Sequence, residues 1–252
     1  MIKLILNGCN GKMGQVISRM VSESDRFEIS AGVDINTALE NPYPVYTDFS
    51  DCKCDADVII DFSHPSSLSK LLAFAKERRL PTIIATTGLS AEQRKDISAA
   101  SAEIPIFFSA NMSLGINLLI ELAKKATAIL EDNFDIEIIE KHHNQKIDAP
   151  SGTALAIADA ISDTMKEPAE YVYDRHATRA KRRKNEIGLH AVRGGTIVGE
   201  HEVIFAGCDE VIELKHSAAS KEVFAAGAVK AAEFMYKKPA GMYSMADLIG
   251  EF

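Results

Sequence analysis

With 252 residues, 46% of them hydrophobic, the chain carries enough apolar material for one large or two modest domains. No uninterrupted apolar run approaches the roughly 18 residues of a membrane span, and the formal net charge of −8 argues against nucleic acid as a partner. The opening run Met1 to Leu6 is too short for a secretory signal and the four cysteines form no Cys-x-x-Cys pair, so the expected setting is reduced and cytoplasmic, with no metal bound.

Residues Ile2 to Leu6 read as an apolar strand that runs into Asn7-Gly8-Cys9-Asn10-Gly11-Lys12-Met13-Gly14. A helix follows with Val16, Ile17, Met20 and Val21 on its apolar face. Strand, glycine turn and helix make the first half of a dinucleotide-binding unit, although Asn10 stands where the common fingerprint has its second glycine. The next strand, Phe27 to Val33, ends at Asp34, about 20 residues beyond Gly14, where a carboxylate is expected to take the ribose hydroxyls of NAD. After a loop from Asn41 to Lys53 with one short edge strand, strands are predicted over Asp57 to Phe62, Thr82 to Ala85 and Ile104 to Phe108. Helices are predicted between them, over Ser66 to Arg79 and from about Ala91 to Ala102. That rhythm predicts a parallel, doubly wound sheet whose strand ends bring Gly8, Asp34, Thr86 and Asn111 into one crevice. His64 also follows a strand end, where a contact with the cofactor edge and a plain loop role are equally open.

A long helix, Ser113 to Leu130, leaves this domain. The strand from Phe134 to Ile139 alternates apolar and acidic residues and leads to His142, His143 and Lys146, read here as a loop. Pro150-Ser151 supplies a break and an N-cap, and the helix runs through Ala154 to Met165. The backbone N–H groups of Gly152 and Thr153 then point outward at a helix N-terminus, a position that binds carboxylates or phosphates. An acid catalyst beside an anion clamp is the chemistry this stretch suits. Beyond it lies a basic run, Tyr171 to Lys184, which is either a solvated loop or a partner for a dianionic substrate. Strands over Ile187 to Val192, Val203 to Phe205 and Val211 to Leu214 give a sheet of about four strands. An alanine-rich helix, Ser220 to Tyr236, follows. The apolar tail to Phe252 is expected to pack back on the first domain. The predicted architecture is α/β: a Rossmann-like doubly wound parallel sheet, residues 1–112 and 220–252, plus a smaller α+β domain with an open mixed sheet, residues 113–219. An exposed face on so small a sheet favours an oligomer.

Over thirteen residues, His142-His143-x-x-Lys146-x-Asp148-Ala149-Pro150-Ser151-Gly152-Thr153-Ala154 resembles the signature of the dihydrodipicolinate reductases. Four other places agree in order: Gly8 to Gly14 with that family's glycine turn, Ala85-Thr86-Thr87-Gly88 with its Gly-Thr-Thr-Gly loop, Ser109 to Gly115 with its Ala-x-Asn-x-Ser-x-Gly loop, and Glu186 through His201 with a further block. The resemblance implies hydride transfer from NADH or NADPH to a small cyclic dicarboxylate in lysine and diaminopimelate synthesis. By the same resemblance His142 is the acid/base residue, Lys146 the proton donor, and His143, Gly152 and Thr153 hold the substrate carboxylate. Gly8, Cys9, Asn10, Gly11, Lys12, Met13, Asp34, Ala85, Thr86, Thr87, Ser109, Ala110, Asn111 and Met112 contact the nucleotide. The family often has an arginine after the acidic residue for the 2′-phosphate of NADP. Ile35 stands there, so NADH is favoured or use is dual, with Lys12 serving NADPH. A homotetramer through the second-domain sheet is expected on the same ground.

Zinc at the His-His pair is disfavoured, because adjacent side chains on extended backbone diverge and Lys146 repels a cation. Another two-domain dehydrogenase, acting on homoserine or aspartate, would share the first domain but has no need of His-His-x-x-Lys beside Ser-Gly-Thr. A non-catalytic nucleotide-binding regulator leaves the Lys146 cluster unexplained.

Overall fold

Strand formation begins with Ile2–Asn7 (β1), whose residues 4–6 are apolar without alternation because the strand is buried on both faces. Leu4 and Leu6 face one core with Ile17, Val21 and Ala228, while Ile5 faces another with Leu71, Ala75 and Ile97. In chain order there follow α1 (Lys12–Ser22), β2 (Phe27–Val33), β3 (Val45–Tyr46), β4 (Val58–Asp61), α2 (Leu68–Arg78), β5 (Thr82–Ile84), α3 (Ala91–Ala100), β6 (Pro105–Phe108) and α4 (Leu114–Leu130). Then come β7 (Asp135–His142), α5 (Gly152–Ser162), β8 (Glu170–Val172), β9 (Glu186–Arg193), β10 (Gly199–Ala206) and β11 (Val211–Ala218), and finally α6 (Glu222–Met235), β12 (Gly241–Tyr243) and α7 (Met245–Gly250). The computed structural model describes residues 1–177 and 179–251. Thr178, inside the basic run, and Phe252, at the end of the tail, lie outside the described residues.

The described chain divides into two units, Met1–Leu114 with Glu222–Phe252, and Gly115–Lys221. The first holds a seven-stranded sheet in the order β12-β6-β5-β4-β1-β2-β3, parallel throughout. Its C-terminal residues join the sheet itself: β12 pairs with β6, and Met245 and Leu248 enter the core beside Phe107. Fully burying each such side chain contributes about 1.5–3 kcal/mol. The helix ends follow local chemistry. Ser90 and Gln93 form a capping box that starts α3, and Arg79, at φ 53°, ends α2 in the left-handed region.

The second unit holds a mixed sheet in the order β11-β10-β7-β9-β8. Strands β10 and β11 and strands β10 and β7 are antiparallel, while β7 with β9 and β8 with β9 are parallel. Ile136, Ile138, Val203, Phe205, Ile187 and Leu189 share one face with Leu119 of α4 and Ile157 of α5. The register puts Ile139, Ile204, Val192 and Val211 on the opposite face.

Three features differ from the sequence expectation. Strand β7 runs three residues past Ile139, so His142 is strand and not loop. Pairing on both sides, Lys141 with Glu200 and His142 with Arg193, carries the ladder that far. The second sheet has five strands, because the short Glu170–Val172 adds outside β9. In the basic run, Arg175 pairs with Glu137 and Glu186, Arg182 with Asp135 and Glu137, and Arg183 with Glu170 and Glu186. These arginines pair with carboxylates of their own unit, Arg183 while still 63% exposed.

Candidate active site

In the first unit the candidate residues gather at the carboxyl ends of β1, β2, β5 and β6. Gly8 sits at φ 80°, and a Cβ there would come within 2.6 Å of the Phe62 carbonyl oxygen, so only glycine fits this turn. Gly8 and Gly11 close it with a hydrogen bond of 3.1 Å from Gly11 N–H to Gly8 C=O. Asp34 accepts from Asn10 N–H and Asn36 N–H, both at 2.9 Å, and so fastens the glycine turn to the end of β2. Asn10, in the place of the second fingerprint glycine, donates to Asn36 C=O and accepts from Asn41 at 2.9 Å. Lys12 and Met13 open α1, whose N-cap Gly11 brings no side chain to the helix start, leaving its first N–H groups for an anion.

A buried carboxylate organises the neighbouring strand ends. Asp61, 1% exposed, accepts from Asn7 Nδ2 at 2.7 Å, Ser63 Oγ at 2.6 Å and Thr86 Oγ1 at 2.7 Å. Burial pushes its pKa up against the pull of those donors. Among the predicted nucleotide contacts, Thr87 and Ala110 are exposed, whereas Cys9, Ala85 and Met112 turn their side chains into the core. Ala85 stands where the resembling loop has its first glycine, and its methyl group packs inward. Cys9 is fully buried, and burial followed by the Asp34 charge pushes its thiol up to about 11, so it is an inert packing residue. Ser109 Oγ donates to Asn111 C=O at 2.8 Å, and Asn111 Oδ1 accepts from Ser113 N–H at 2.9 Å, which shapes the loop after β6.

In the second unit the chemistry lies where β7 meets α5. Ser151 caps α5 as expected, its Oγ accepting from Ala154 N–H at 3.1 Å. His142 is buried at the end of β7, and the ladder continues beyond it through Gly194 N–H to His142 C=O at 2.9 Å and Asn144 N–H to Gly195 C=O at 3.2 Å. These bonds fix the start of the loop that carries His143 and Lys146. Lys146 Nζ lies 2.8 Å from Asp148 Oδ1. Lys146 first, and Gly152 N–H as a further donor, hold the Asp148 carboxyl below its usual range. The ammonium therefore already holds one carboxylate, four residues before the start of α5 at Gly152. Gly152 is exposed and Thr153 half-buried at that helix start.

Three residues that sequence reasoning did not assign complete the cluster. Glu140, 1% exposed, contacts His142 Nδ1 at 2.6 Å and accepts both arms of Arg193 at 2.7 Å and Ser151 N–H at 3.0 Å. Burial opposes its charge, but Arg193, His142 and Ser151 outweigh it and hold the carboxyl below the ordinary range. His201 Nε2 lies 3.1 Å from Ser151 Oγ, with its ring 5.2 Å from that of His142. Burial first, then the neighbouring His142, pushes the His201 pKa down to about 4. The available signal was the two-residue spacing of Glu140 and His142, which puts both on one face of a strand.

Sequence models of dihydrodipicolinate reductase match nearly the whole chain, the N-terminal part over residues 2–112 and the C-terminal part over residues 115–249. The chain belongs to the dihydrodipicolinate reductase family. It is 57% identical over 249 residues to a 4-hydroxy-tetrahydrodipicolinate reductase of Caldanaerobacter subterraneus subsp. tengcongensis, covering 99% of this chain and 98% of the relative. It is 51% identical over 249 residues to one of Clostridium novyi, with the same coverage. A dipicolinate-bound dihydrodipicolinate reductase from Paenisporosarcina sp. TG-14 shares the fold with a TM-score of 0.82 at 23% identity, over 97% of both chains. As a family member the protein is an NAD(P)H-dependent oxidoreductase on a Rossmann-like sheet. Among the described residues no helix is long and apolar enough to cross a membrane.

Proposed function

We propose that this reductase converts 4-hydroxy-tetrahydrodipicolinate to tetrahydrodipicolinate in lysine and diaminopimelate synthesis, with Lys146 as proton donor and His142 as acid/base residue. The observation that carries the reading is the ion pair of Lys146 Nζ with Asp148 Oδ1 at 2.8 Å, beside the start of α5, which opens at Gly152. A substrate carboxylate offers the same group to the same donors, and His143 and Thr153 complete its binding. Reduction builds negative charge on the substrate, and Lys146 quenches it, since an ammonium both attracts a dianion and gives up a proton on the reacting face.

The first unit suits a nicotinamide nucleotide. The tight turn at Gly8 and the uncapped start of α1 suit a pyrophosphate close to the backbone of Cys9, Asn10 and Gly11, and Lys12 and Met13 lie at the helix start. Thr86, Thr87, Ser109, Ala110, Asn111 and the Met112 backbone line the remainder. Bound there, the reduced nucleotide supplies the hydride. Asp34 favours the ribose diol of NADH, and the exposed Ile35 offers no charge to a 2′-phosphate, with Lys12 as the residue that serves NADPH. The second unit, residues 115–221, takes the substrate. The apolar residues Ile139, Ile204, Val192 and Val211 on its helix-free face support assembly into a homotetramer, and the setting is cytoplasmic.

The test is oxidation of NADH and of NADPH with substrate generated in situ by the preceding synthase, in wild type and Lys146→Ala. The expected result is wild-type turnover with NADH ahead of NADPH. Lys146→Ala should lose about 10²–10⁴-fold in kcat while still binding the nucleotide. A wild-type protein that turns over with neither nucleotide overturns the reading.

A further inference from the structure

Glu140 has no role in the reading above, yet its surroundings are the most completely satisfied of any carboxylate in the second unit. Its two oxygens receive Arg193 Nη1 and Nη2, each at 2.7 Å, Ser151 N–H at 3.0 Å, and the contact with His142 Nδ1 at 2.6 Å. Two carboxylate oxygens offer about four acceptor sites, so all are used. Three of the four partners are donors that cannot accept, and the guanidinium charge of Arg193 lies against both oxygens and favours the charged form. The carboxylate is therefore ionised, and the fourth partner, His142 Nδ1, must carry a proton.

That assignment leaves Nε2 as the only ring nitrogen able to exchange a proton with anything else. Its side of the ring lies against Gly199, where an added Cβ would stand 3.2 Å from Nε2. Arg193 makes the arrangement rigid. It comes from β9, opposite His142 in the ladder, clamps Glu140 with two bonds, and donates to the Asp148 carbonyl at 2.6 Å. The Ser151 N–H bond ties the same carboxylate to the start of α5.

We infer that Glu140, clamped by Arg193, is the positioning residue of His142: it fixes the imidazole as the Nδ1–H tautomer and directs Nε2 toward the reacting substrate. The inference rests on the proposed role of His142 and deepens it. A carboxylate that holds a histidine in one tautomer preserves a full proton-transfer cycle at the other nitrogen.

The experiment has three arms. Nitrogen-15 NMR of the histidine rings in the wild-type protein, with the His142 signal assigned by its loss in His142→Gln, reads the tautomer directly and needs no substrate. A proton on Nδ1 is expected, and an unprotonated Nδ1 overturns the inference. Glu140→Gln keeps the size of the side chain, and its single oxygen stays with Ser151 N–H and Arg193 Nη2. Its NH2 then turns Arg193 Nη1 away and, facing His142 Nδ1, forces the ring proton to Nε2. The expected result is a switched tautomer and a kcat lower by about 10²-fold or more with little change in nucleotide affinity, and a kcat within twofold of wild type overturns the inference. If Glu140→Gln does not fold, Gly199→Ala takes its place. Its methyl group covers Nε2 without touching Glu140, so a tenfold or larger loss of kcat with the Nδ1–H tautomer intact supports the inference, and unchanged kcat overturns it. Failure of the wild type to turn over falls on the functional reading, because the tautomer is read without substrate.

Discussion

Lowering the pH from 7.5 to 5 will selectively weaken this protein through His201. The residue is 4% exposed, and its pKa is pushed down to about 4 by burial and by His142. In the unfolded chain a histidine titrates near 6.5. Between those two values the unfolded state binds more protons than the native state, so stability is full above about 6.5 and is lost as pH falls toward 4. Integrating the two titrations gives a loss of about 2 kcal/mol at pH 5 and about 3 kcal/mol at pH 4 from this one side chain. His201→Gln retains an amide able to bond Ser151 Oγ but has no proton to gain. Urea unfolding followed by circular dichroism, at pH 7.5 and pH 5 for both proteins, isolates the effect, because the other titrating groups are common to the two and largely cancel. The expected outcome is a variant that is weaker at pH 7.5 but loses about 2 kcal/mol less than wild type on acidification. Parallel losses in the two proteins would refute the reasoning.

Two further outcomes follow from the first unit. Asp61→Asn should remain within about 1 kcal/mol of wild type in thermal unfolding at neutral pH, because it removes a buried charge and the Thr86 hydroxyl can turn to accept. Asp61→Ala should cost roughly 1–3 kcal/mol and weaken NADH binding in a fluorescence titration, since Asn7 and Thr86 both lose their shared acceptor. Equal behaviour of the two variants would count against the hub. Ile35→Arg, at a position 94% exposed beside Asp34, should raise kcat/KM for NADPH relative to NADH by about 10-fold or more, the worth of one charge-assisted bond to phosphate. An unchanged ratio in steady-state kinetics would show that the 2′-position lies elsewhere.

Local chemistry makes the strand series, the Ser151 cap and the glycine turn at Gly8 legible in the sequence. Each depends on residues within a few positions of one another. What the sequence did not disclose depends on register. Glu140 finds Arg193 across 53 positions, and Ser151 finds His201 across 50, through pairings of β7 with β9 and β10 that no local pattern specifies. The arginines of the basic run were ambiguous for the same reason, because Glu137 and Asp135 are brought to them by the sheet. Strands β8 and β12 have only three residues each, too few for a period to show, and form by pairing with the edges of β9 and β6. Met112 and Cys9 are a different case. The resemblance named them as nucleotide contacts, and their side chains belong to the core, which leaves only their backbone for such a role.

The return of α6, β12 and α7 to the first sheet has a consequence for how the chain is made. The substrate unit interrupts the nucleotide-binding unit, so the helix that covers β4, β5 and β6 and the edge strand of the sheet are made after it. The substrate unit, whole by Lys221, is in a position to fold while its host still lacks one wall. The substrate unit is thus an insert that can be finished while its frame is not, and competence to bind nucleotide waits for residues 222–251.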